Sequence, residues 1–217
     1  LFPAALGSPR AVIVAGWRPP LGIALFVSPL SLGAAALIYL TASLISVANL
    51  GRYGDGDSPR GAPLRALFVL GAVGMVLTAD LFNAFVFLEI AGISAFALVA
   101  AGRAAGRGES AEPWAASASG ALRYLVAAQV ASLFMLLGMG LLYSATGLLT
   151  MPSLVSHPSL KPSFGLLTAL LVLFPLLLEA KIVPLNFWVG RAYGGAPAGF
   201  APALSGIGAT AAAVLLL

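Results

Sequence analysis

Of 217 residues, 60% are hydrophobic and 8% charged, against about 25% charged in soluble domains; a water-facing surface cannot be built from this inventory. That excludes a soluble enzyme, a nucleic-acid-binding domain and a disordered chain. The net charge of +4 comes from 11 basic and 7 acidic residues, but in a membrane protein the side on which the basic residues lie matters more than their sum.

The chain opens Leu1-Phe2-Pro3, without a basic and then apolar leader, and stops inside the apolar run at 211–217. It reads as part of a longer chain, one transmembrane domain over 1–217. A spanning helix needs about 20 mostly apolar residues. The first such run covers 21–49, followed by a polar Gly/Pro-rich loop at 52–63. Runs at 64–79 and 81–101 are separated only by Asp80. One helix of their joint length would be about twice the hydrocarbon thickness, so a hairpin is expected, with Asp80 at the membrane surface and at a helix N-terminus. A polar loop at 102–118 precedes a fourth run at 121–143, and a Ser/Pro/His loop at 151–163 precedes a fifth from Phe164. The sixth starts near Ala203 and is cut short, giving about six spans.

If the spans alternate, one side carries Arg52, Arg60, Arg65, Arg103, Arg107 and Arg123, the other Arg10, Arg18 and Lys161; this puts the first side in the cytoplasm. Tyr53, Trp114, Tyr143 and Trp188 suit the interface, and the phenylalanines at 82, 85 and 87 suit lipid or neighbouring helices. His157 reads as a solvated loop residue, and Gly138 and Gly140 as close packing points. No cysteine and a single histidine leave no disulfide, thiol nucleophile, zinc site or other cofactor site to expect.

Three ionisable residues lie deep in apolar sequence: Glu89, Glu179 and Lys181. Each costs about 2.5–3.5 kcal/mol at the bilayer centre on insertion scales, so a role in moving ions or protons is the favoured reading over a simple interhelical bond. Glu89 lies nine residues beyond Asp80, roughly 13 Å along a helix and near the midplane. It should face other helices, within reach of a polar group from the fifth run. Glu179 and Lys181 point about 200° apart on a regular helix, so only one should approach Glu89, and charge favours Lys181. Pro184, Pro197 and Pro202 lead to an interrupted helix between Lys181 and Ala203, a device tolerated where backbone lines a cavity. A simple proline kink with a Lys–Glu pair is the plainer alternative.

The stretch Asp80-Leu81-Phe82-Asn83-Ala84-Phe85-Val86-Phe87-Leu88-Glu89 resembles the glutamate-bearing helix of the antiporter-like subunits of complex I, membrane-bound hydrogenases and Mrp-type sodium/proton antiporters, the last most of all. Pro20-Leu21-Gly22-Ile23, Arg123-Tyr124, Leu142 to Gly147, Pro184 to Trp188, Ala196-Pro197 and Ser205-Gly206 resemble further family motifs in the same order. The resemblance implies an all-α polytopic transmembrane bundle with a broken helix. It also implies transport of protons, or of a cation such as sodium against protons, within a multi-subunit complex of a prokaryotic cell membrane. Redox chemistry would fall to other membrane subunits, and nucleic acid has no part. A stand-alone secondary transporter or a non-translocating structural subunit are the alternatives. Carried over, the family pattern makes Glu89 the intramembrane glutamate. It places Glu179 where a lysine is usual, with Lys181 displaced by two, Asn186 and Tyr193 where histidines are common, and Thr210 where the next helix often carries lysine or histidine. Glu89, Glu179 and Lys181 are thus the expected ion path, with Asn186, Arg191 and Thr210 lining it.

Overall fold

The computed structural model describes residues 10–17, 22–48, 61–101, 111–155, 157, 161–196 and 199–216. Two short strands, β1 (Arg10–Ile13) and β2 (Ala24–Val27), pair antiparallel with Arg10 opposite Val27. The helices follow in order: α1 (Pro29–Ala48), α2 (Gly61–Leu77), α3 (Leu81–Ala101), α4 (Ala111–Thr146), the short α5 (Met151–Val155), α6 (Pro162–Glu179), the short α7 (Val189–Gly195) and α8 (Ala201–Leu215). Among the described residues, four helices are long and apolar enough to cross a membrane; Gly61–Leu77 and Ala201–Leu215 are apolar but shorter.

The first helix begins later than the hydropathy predicts, and its cap explains why. The Ser31 backbone N–H donates to Ser28 Oγ at 3.1 Å, and the Ser28 N–H donates to Ser31 Oγ at 2.8 Å. This reciprocal capping box, with Pro29 at the first helical position, fixes the start. The preceding apolar residues 24–27 are extended, since apolarity alone does not choose between strand and helix. The predicted hairpin is present between α2 and α3. Asp80 Oδ1 accepts the Asn83 N–H at 3.0 Å, and Thr78 Oγ1 accepts from the Asp80 N–H at 3.2 Å and from Asn83 Nδ2 at 3.0 Å. Asp80 is therefore the N-cap of the helix that carries Glu89. The expected loop at 102–118 is corrected: α4 is helical from Ala111, because its polar first turns mark an exit from the apolar phase and not a helix end. His157 is half-buried, and part of the expected loop at 151–163 is the helical turn α5.

Strand β2, which leads into α1, the α2–α3 turn and the segment just after α4 meet at one end of the bundle. Leu25 bridges Thr78 there, Asp80 bridges Thr150, and the Leu81 N–H donates to the Leu149 carbonyl at 3.0 Å. That meeting fits spans of alternating direction. Arg18, Arg52, Arg60, Arg103, Arg107, Tyr53 and Pro197 lie outside the described residues, as does the side chain of Trp114. Helix α3 packs between α2 and α4, α6 packs on α4, and α8 closes on α1, α2 and α6. Small residues such as Ala72, Ala95 and Ala211 fill the interior, while Leu40, Leu44, Leu133, Leu137, Leu166 and Leu170 point outward, each more than half exposed. Apolar outside as well as inside is the pattern of a bundle solvated by lipid.

Gly138 sets the contact of α4 with α6. A Cβ on Gly138 would lie 2.9 Å from Leu171 Cβ and 3.1 Å from the Thr168 carbonyl oxygen, whereas at Gly140 nothing lies within 4 Å. Only the first of the two expected packing points is one. Gly138→Val should therefore wedge α4 from α6 and cost about 1–3 kcal/mol. Gly140→Ala should stay within about 0.5 kcal/mol. Thermal unfolding of the detergent-purified protein compares the two; equal losses would refute the contact.

Candidate functional site: two carboxylates between three helices

Helix α6 runs through Pro175 and stops at Glu179. Its end is a Schellman motif: the Lys181 N–H donates to the Leu178 carbonyl at 3.1 Å and the Ile182 N–H to the Leu177 carbonyl at 3.2 Å. Lys181 occupies the left-handed position at φ 60°, where glycine is usual. Turns then carry the chain through Trp188 to α7, so the predicted interruption between Lys181 and Ala203 is present.

The left-handed turn folds Lys181 back over the helix end. Its ammonium donates to the Glu179 backbone carbonyl at 2.8 Å, sits 3.9 Å from Glu179 Oε2, and lies 5.7 Å from the centre of the Trp188 ring. Residues that a regular helix would point apart are thereby brought together. Glu179 Oε1 accepts the Tyr124 hydroxyl at 2.6 Å. Tyr124 and Trp188 are buried, and their rings pack at a tilt of 39° with centroids 4.6 Å apart. Trp188 is thus core and not an interfacial anchor, as Tyr143 on the exposed surface remains free to be.

Glu89 faces neighbouring helices, as expected, and Gln129 Nε2 of α4 donates to its Oε2 at 3.0 Å. Glu89 and Glu179 both line one small cavity between α3, α4 and α6, together with Gly92, Gln129, Ser132 and Pro175. Its volume of about 10 Å³ is that of roughly one water. Lys181, which charge alone would bring to Glu89, lies against Glu179 instead. The cap turns the ammonium toward the carbonyl end of α6, and the regular last turn leaves Glu179 facing the cavity.

The remaining path candidates lie apart. Asn186 is exposed in the turn, and Arg191 is exposed on α7. Thr210 is half-buried, with its hydroxyl donating to the Gly206 carbonyl of its own helix at 2.7 Å. Gly208 of α8 lies beside the pair, at the end of a π-helical segment, Leu204–Gly208; a Cβ there would lie 3.6 Å from Lys181 Nζ and 3.7 Å from Glu179 Oε2. Such segments often occur at functional sites. Sequence reasoning misses the two donors, Tyr124 and Gln129. Gln129 has a signal, as the single amide side chain in the apolar run 124–143.

Residues 78–217 match the family described as NADH:quinone oxidoreductase/Mrp antiporter, TM. The chain is 39% identical over 198 residues to an NADH-quinone oxidoreductase subunit of Desulforudis audaxviator, and 29% identical over 198 residues to a Na(+)/H(+) antiporter subunit of Alkalihalophilus pseudofirmus. Each alignment covers 88% of this chain and 37% of the relative, so the chain spans little more than a third of their length. Among solved structures, it resembles a chain of an archaeal respiratory complex, the membrane-bound sulfane sulfur reductase (TM-score 0.78, 33% identity, covering 96% of this chain and 41% of that one). It also resembles a chain of the Mrp complex from Dietzia sp. (TM-score 0.78, 29% identity, covering 95% and 37%).

Gln129→Leu would leave the Glu89 carboxyl without its donor from α4. The expected loss is about 1–3 kcal/mol, the cost of an unsatisfied buried polar group. It should appear as a lower unfolding temperature; an unchanged temperature would mean the bond contributes nothing.

Proposed function

We infer, because the chain belongs to the NADH:quinone oxidoreductase/Mrp antiporter transmembrane family, that it is the antiporter-like part of a membrane subunit that moves protons, or a cation against protons, across a prokaryotic cell membrane. The complex around it would be of the complex I, Mrp or membrane-bound hydrogenase type, with other membrane subunits as its partners. The observation that carries this reading is the meeting of Glu89 and Glu179 across one cavity inside an apolar bundle.

Two carboxyls in such a place are costly to keep. Each is met by one donor from α4, and neither donor carries a charge. The water-sized space that both carboxyls line has room for one water to relay a proton between them. Lys181, on the far side of Glu179, supplies a positive charge beside one member of the pair.

The test uses the full-length chain in its purified complex, reconstituted into vesicles, with the internal pH followed by a dye. Glu89→Gln and Glu179→Gln are each expected to slow pH change by about tenfold or more, equivalent to about 1.4 kcal/mol or more in the barrier, with assembly intact. Assembled variants that transport at the parent rate would sink the reading.

A further inference from the structure

Glu179 has two faces. Oε1 is turned to Tyr124, whose hydroxyl lies 3.9 Å from where a Cβ on the cavity residue Gly92 would be. Oε2 is turned to Lys181 and to Gly208 of α8. The side chain thus stands between the Glu89 cavity on one side and the broken segment on the other.

The Lys181–Glu179 pair is loose. A free ammonium and carboxylate close to about 2.7–2.9 Å, and these two are held at 3.9 Å. No chain length prevents closure, since the ammonium already reaches the Glu179 backbone oxygen at 2.8 Å. The Tyr124 hydroxyl opposes it: 2.6 Å from Oε1, it draws the carboxylate the other way. Tyr124 is itself fixed by burial and by its packing on Trp188, and Trp188 also lies beneath the Lys181 ammonium. One aromatic pair therefore sets both ends of the ion pair apart. Tyr193 of α7 also lies near, its ring meeting Trp188 edge-on at 6.5 Å.

We propose that Tyr124 is a positioning residue that holds the Glu179 carboxylate toward the Glu89 cavity and off Lys181. Without its hydroxyl, Glu179 swings onto Lys181, the ion pair closes, and the two glutamates no longer face each other. The proposal rests on the transport reading above only for its consequence in rate; the geometry stands by itself.

Tyr124→Phe keeps the ring and its packing. In the full-length chain within its complex, cryo-electron microscopy of this variant should show Nζ and a carboxylate oxygen at about 2.8 Å, with the carboxylate withdrawn from the cavity. Transport should fall by about a hundredfold, the loss that a misplacement of about 1 Å can bring. Restoring tyrosine should return both. A carboxylate that still faces Glu89, with the ammonium 3.9 Å away as now, overturns the proposal whatever the transport rate. A closed pair with undiminished transport supports the positioning role and overturns the transport reading instead. If the variant does not assemble, fluorotyrosine at position 124 replaces it. Its fluorine resonance should move on Glu179→Gln, and a resonance indifferent to that change overturns the proposal.

Discussion

Both intramembrane glutamates take their hydrogen-bond donor from the same helix. Tyr124 and Gln129 stand five residues apart on α4, one reaching Glu179 of α6 and the other Glu89 of α3. A carboxylate away from water has to find its donors in the protein, and each unmet bond costs more there than at a surface. Helix α4 therefore decides how α3 and α6 are rotated: either helix, turned by one residue, would lose its bond. The close approach at Gly138 fixes the distance between α4 and α6, and the Asp80 cap fixes where α3 begins and so how deep Glu89 lies. Position, rotation and depth of the two acids follow from those few contacts.

The helices are legible wherever a physical signal is local. Asp80 followed by Asn83 announces a cap, and the run that starts at Leu81 is helical as far as Ala101. Prolines and glycines after Lys181 announce the interruption. The start of α1 is hidden from hydropathy because Ser28 and Ser31, a pair of small hydroxyls, define it against a uniformly apolar background. Likewise, the polar residues before Ala118 report contact with water and do not end a helix, so α4 begins earlier than its apolar part.

At the site, Glu89, Glu179 and Lys181 are each visible as charges in apolar sequence, yet their pairing is not. The rule that residues two apart diverge holds only for regular helix, and Lys181 adopts a left-handed conformation that hydropathy cannot reveal. Pairwise charge complementarity then points to the wrong partner for Glu89. Its actual neighbours are an amide and a second acid, brought together by tertiary packing across 40 residues of sequence between Glu89 and Gln129. Tyr124 is hidden for a related reason. A tyrosine in an apolar run looks like bulk until a specific oxygen is found in front of its hydroxyl.

The Lys181 turn has one more effect. A helix that ends inside a bundle leaves its last carbonyls, the negative pole of its aligned peptide dipoles, in a medium that screens poorly. At a surface, mobile counter-ions would dilute that pole within about 10 Å. Here the Lys181 amine bound to the Glu179 carbonyl meets that pole from within the protein. The local potential at the end of α6 is therefore written into the backbone geometry, and the ionic strength of the surrounding solution has little hold on it.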